Sequence, residues 1–82
     1  MAGTFHLTIA KIGENLFDGD ARSVTLPGAE GVFQVLPNHE SFVSHLKTGE
    51  AKVVAADGTI TTLTVSDGSI AEVSNNQATI LL

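Results

Sequence analysis

Glu30 to Val53 reads EGVFQVLPNHESFVSHLKTGEAKV. Gly31, Pro37, His39 and Gly49 fall at fixed offsets in this stretch and divide it into three short, strand-like pieces. Val32 to Leu36 is an apolar run broken by Gln34 and stopped by Pro37-Asn38, because proline cannot donate to a continuing ladder and asparagine accepts turn conformations. Phe42-Val43 and Val53-Val54 place apolar residues at both parities, which marks strands covered on two faces or strands with apolar surface to spare.

The same period-two alternation continues outward. Phe5, Leu7 and Ile9 alternate with Thr4, His6 and Thr8, and Val24 and Leu26 alternate with Ser23 and Thr25 up to a stop at Pro27-Gly28. No stretch of helical length keeps apolar residues at i, i+3, i+4 and i+7 without an intervening Gly or Pro. The reading is an all-β domain over residues 1–82, with turn signals about every 8 to 12 residues and room for eight to ten short antiparallel strands in two sheets.

Two hairpins can be assigned a register. A two-residue turn at Asp57-Gly58 would set Lys52 against Leu63 on one face. A three-residue loop Ala56-Asp57-Gly58, with Gly58 left-handed, instead pairs Ala51 with Leu63, Val53 with Thr61 and Val54 with Ile60, and is preferred. At Asn75-Asn76 a two-residue turn pairs Val73 with Ala78, Ala71 with Ile80 and Glu72 with Thr79, asparagine tolerating the positive φ required.

Composition limits the function classes. The 82 residues carry 9 acidic against 4 basic side chains, a net charge of −5, with no cysteine, tryptophan or tyrosine. The four cations, Lys11, Arg22, Lys47 and Lys52, are scattered, which argues against nucleic acid and against adsorption to anionic lipid. The apolar runs are far shorter than the ~20 residues of a spanning helix, and the N-terminus has neither a signal-peptide nor a transit-peptide pattern. A domain this small hides only about 60% of its unfolded surface, so a partner interface would add stability.

The order and spacing of these pieces resemble the N-terminal domain of the ε subunit of F-type ATP synthases. The likeness runs from Thr4-Phe5-His6-Leu7 with Phe17 and Gly19, through the Glu30–Val53 block, to Ser66-Asp67-Gly68-Ser69-Ile70-Ala71-Glu72-Val73, Asn75-Asn76 and Ala78-Thr79-Ile80-Leu81. It implies a ten-stranded β-sandwich and a non-catalytic rotor part of the central stalk that fastens the γ subunit to the ring of c subunits. It also implies a peripheral place on the cytoplasmic face of a bacterial inner membrane, or on the stromal face of a thylakoid. The sequence ends at Leu82, where the last strand ends, so the helical hairpin that usually follows in the family, and inhibition by its insertion, are not expected. Val32 replaces a residue that is often acidic in the family, and Asn38 replaces a common glycine.

On this resemblance the turns at Glu30, Gly31 and Val32 and at Asn38, His39 and Glu40 are expected to face the c-ring. The surplus apolar residues Phe42, Val43 and Val54 are expected to face γ. His39 has a plainer reading, that its imidazole caps the turn backbone. His6, His39 and His45 lack metal-ligand spacing, Asp18-Gly19-Asp20 opens like a calcium loop but lacks the closing Glu and reads as a turn, and no nucleophile elbow or phosphate loop occurs. No cofactor, metal or catalytic residue is expected. The competing function, a free-standing β-sandwich that binds a small ligand or glycan, calls for an aromatic patch that four Phe without Trp or Tyr supply poorly.

Overall fold

A computed structural model describes residues 3–82, all of whose regular elements are strands. They are β1 (Phe5–Lys11), β2 (Glu14–Gly28), β3 (Gly31–Val35), β4 (Phe42–His45), β5 (Gly49–Ala55), β6 (Ile60–Val65), β7 (Ile70–Ser74) and β8 (Gln77–Leu81). The hydrogen-bonded path runs β4-β7-β8-β1-β2-β5-β6, with β3 also on β2.

The 15-residue β2 turns this path into a sandwich. Its first part, up to Ala21, pairs with β1, while Val24–Gly28 pairs with β3 and Ala21–Thr25 with β5. Between Ala21 and Ser23 the register slips past Arg22, a bulge that bends and twists the strand from one layer into the other. The layers are therefore β4-β7-β8-β1-β2 and β3-β2-β5-β6. Leu7, Ile9, Val24, Val53 and Ile80 are fully enclosed between them, with Phe5, Leu26, Val35, Ala51, Val65, Ala71, Val73 and Ala78 around them.

Both assigned hairpins form in the register read from the sequence. Ala51 faces Leu63, Val53 faces Thr61 and Val54 faces Ile60, with Gly58 at φ 90°. Val73 faces Ala78 and Ala71 faces Ile80 across Asn75 and Asn76, at φ 51° and 57°.

Three expectations are corrected. The sheet is mixed, because β1 and β8 run parallel from His6–Gln77 to Ala10–Leu81. Parallel neighbours need a long crossover, here the whole chain from β2 to β7, which hairpin-based reasoning cannot see. Asp18-Gly19-Asp20 is no turn but lies inside β2, opposite Thr8, Leu7 and His6. There His6 Nε2 donates to Asp18 Oδ1 at 2.7 Å, so the Asp-Gly pair is held extended by a cross-strand contact. Finally, eight strands form among the described residues, not the ten that the resemblance implies. β2 does end at Pro27-Gly28 as expected, and the Pro27 carbonyl accepts from the Lys47 N–H at 2.9 Å.

Candidate partner-binding edge

The residues expected to meet partners gather, with one exception, along a single side of the sandwich where the outer strands of the two layers, β3 and β4, approach each other. β3 pairs with β2 and β4 with β7, so side chains close this side. Phe33 and Phe42 meet edge to face across it, ring centroids 5.4 Å apart and planes at 75°. That geometry matches the positive ring edge to the negative face.

At one end of the seam lies the β2–β3 turn. Gly28 pairs with Gly31, which takes φ 137°, and the Ala29 N–H donates to the His45 carbonyl at 2.9 Å, tying the turn to the end of β4. Here Glu30, Gly31 and Val32 line, together with Val43, Ser44 and His45, an open concavity of about 450 Å³. Val32 and Val43 are the large apolar residues of this rim, 73% and 62% exposed. Glu30 supplies its negative charge.

At the other end of β3, about 16 Å away at ~3.3 Å per residue, the chain turns through Pro37-Asn38. Asn38 takes φ 63°, a left-handed conformation that asparagine accepts more readily than other side chains. Its N–H donates to Asn76 Oδ1 at 2.7 Å, and Asn76 Nδ2 donates to the Thr4 carbonyl at 2.9 Å. Asn76 thus ties this turn, the β7–β8 turn and the start of β1 together. His39 Nδ1 donates to the Glu40 carbonyl at 2.9 Å and its ring lies 4.9 Å from that of Phe42, so the plainer reading of His39 describes its geometry.

Val54 is the exception. It lies on the outward face of the β3-β2-β5-β6 layer, opposite Ser23 and Ile60. Val43 lies on the outward face of the other layer, opposite Glu72. The pair expected to form one apolar face is therefore split between two. The sequence reading did not single out Ile70 and Leu81, which face outward beside Val43 through the His45–Ile70–Leu81 row. The signal was present in the alternation of Ala78-Thr79-Ile80-Leu81, where an enclosed Ile80 requires an outward Leu81.

Ser44 Oγ donates to the neighbouring His45 carbonyl at 3.1 Å, and among the described residues no three His, Asp or Glu converge on a common point. The class that the fold defines is a two-layer β-sandwich with an apolar and acidic edge. Residues 4–82 match the delta/epsilon-chain β-sandwich domain of ATP synthases, and the chain belongs to that family.

Among its curated relatives is the ATP synthase epsilon chain of Nitratiruptor sp., 45% identical over 67 residues that cover 82% of this chain and 51% of that protein. The epsilon chain of Campylobacter fetus is 38% identical over 79 residues, 96% of this chain and 60% of the relative. The chain spans about half the length of the curated relatives it matches. A chain in the Euglena gracilis mitochondrial ATP synthase structure containing OSCP, F1 and the c-ring superposes with a TM-score of 0.87 at 25% identity, over 95% of this chain and 49% of that one. A chain of the Tetrahymena thermophila central stalk and c-ring shares the fold, with a TM-score of 0.76 at 15% identity over 98% of this chain and 63% of the other. No helix among the described residues is long and apolar enough to cross a membrane.

Proposed function

We propose that this domain is a non-catalytic rotor part of an F-type ATP synthase. It joins γ to the c-ring and transmits torque between proton translocation and ATP chemistry, from a peripheral position on the cytoplasmic face of the membrane. The observation that carries this reading is the β3/β4 edge. Glu30, Gly31, Val32, Asn38, His39, Glu40, Phe42 and Val43 all lie along it, within a family one of whose solved neighbours belongs to an assembly of OSCP, F1 and c-ring.

A torque-bearing joint needs a body that does not shear. A sandwich whose layers share one continuous strand meets that need, and an apolar strip with a polar rim is the usual composition of a protein interface. Within this strip we assign Phe42 and Val43 to the γ side, and the Glu30-Gly31-Val32 and Asn38-His39-Glu40 turns to the polar loops of the c-ring. Val54, two strands in from β3, is the remaining γ candidate and separates the alternatives. Purified γ is expected to be captured by the natural chain and by Val54→Asp but lost with Val43→Asp, each variant retaining its β circular dichroism. Capture by Val43→Asp at natural strength would refute the assignment of γ to this edge.

A further inference from the structure

Among the described residues the sandwich has four outer strands, and they are protected unequally. The first part of β2 carries Glu14, Asp18 and Asp20, β4 has only 4 residues, and β3 has 5 and faces β4 across the phenylalanine seam. β6 has 6 residues, and the stretch Thr59–Val65 contains no charge, proline or glycine. Exposed edges without such devices are templates for another strand.

The open hydrogen-bonding groups of β6 can be assigned. The Ala55 N–H donates to the Thr59 carbonyl at 2.8 Å, which makes Ala55–Thr59 a bonded pair. By alternation along the β5–β6 register, the backbone groups of Thr61 and Leu63 point to β5, and those of Ile60, Thr62 and Thr64 point outward. The side chains of these three residues are exposed, so the edge is accessible.

We propose that β6 docks an extended segment of a partner polypeptide by antiparallel strand addition. The guest's core is uncharged and β-branched, and a basic residue stands at its N-terminal end. Charge decides the occupant. An antiparallel guest sets its N-terminus against the end of β6 where Asp67 follows in the turn and Glu50 faces Thr64. At the guest's other end the Arg22 guanidinium lies next to Gly58 and partly offsets the neighbouring Asp57 charge, and Lys52 faces Thr62 in the middle and disfavours a central cation. A second copy fits worse. The register that matches outward groups pairs Thr62 with Thr62 and sets Asp57 of each copy against Asp67 of the other, between chains that each carry −5.

The test is titration of the chain with the amidated, N-acetylated peptide KKTVTVT, alongside EETVTVT and a KKTVTVT analogue N-methylated at its central valine. Saturable binding of the lysine peptide is expected, with binding about tenfold weaker for the N-methylated analogue and for the Thr62→Pro protein, each losing a bond at the edge. The Thr62 N–H faces outward, so proline there leaves the β5 ladder paired; should that variant fail to fold, the N-methylated analogue still decides on the natural chain. Equal binding of the glutamate peptide, indifference to N-methylation, or a dimer of the natural chain dispersed by Thr62→Pro would each overturn the proposal.

Discussion

Phe33 and Phe42 touch edge to face at 5.4 Å although their strands share no ladder, so two half-buried rings close the side of the sandwich that carries the candidate partner-binding residues. Phe33→Ala should therefore destabilise the fold by about 2 kcal/mol, below the range for a fully enclosed phenylalanine because both rings keep some exposure. The urea midpoint measures it, and Phe33→Leu should recover most of the loss.

Asn76 couples a backbone requirement to two side-chain hydrogen bonds. Asn76→Gly keeps the positive φ and loses the bonds to the Asn38 N–H and the Thr4 carbonyl, for about 1 kcal/mol; Asn76→Ala also strains the backbone and should cost about 2 kcal/mol. Hydrogen exchange at the Asn38 amide should quicken in both. The difference in stability between the two variants isolates the backbone contribution.

Gly28 is required by space. A Cβ there would stand 2.6 Å from the Gly31 carbonyl oxygen and 2.8 Å from Phe33 Cδ1, whereas a Cβ at Gly19 meets nothing nearer than Phe17 Cε1 at 4.0 Å. Gly28→Ala should cost about 2 kcal/mol and disturb the β2–β3 turn, while Gly19→Ala should be nearly neutral, as thermal unfolding of the two variants would report.

Asp57 is held below the usual carboxylate range, chiefly by the Thr59 N–H, which donates to its Oδ1 at 2.9 Å, with a smaller contribution from the charge of Arg22. A lowered folded value favours the ionised form. The associated stability is complete above the ordinary aspartate pKa and is lost as pH falls through that value and the lower folded one. Asp57→Asn keeps an acceptor for Thr59 and cannot titrate, so its stability relative to the natural chain should improve on acidification from pH 5 to pH 2. Urea unfolding across that range provides the measurement.

The hairpin registers were legible because a strand's side-chain period is two, so a wrong register at Asp57-Gly58 puts Lys52 with Leu63 and betrays itself. Asn38 was legible for a related reason, since few residues accept a left-handed turn. The β1–β8 pairing was not legible, because it joins the two ends of the chain and no local pattern encodes it. Asp18-Gly19-Asp20 carries a strong turn signal that pairing with β1 overrides. The candidate site was legible as a set of residues and not as a surface. Sequence parity shows that Val43 and Val54 are surplus to one interior, but it cannot show that their strands belong to different layers.

Crosslinking in the assembled complex asks whether the rotor partners dock at the β3/β4 edge. The natural chain has no cysteine, so a single Val43→Cys or Val54→Cys variant can carry a benzophenone probe at one known place. The probe at position 43 is expected to crosslink to γ, and the probe at position 54 to neither γ nor a c subunit. Crosslinking from position 54 with none from position 43 would contradict docking at this edge.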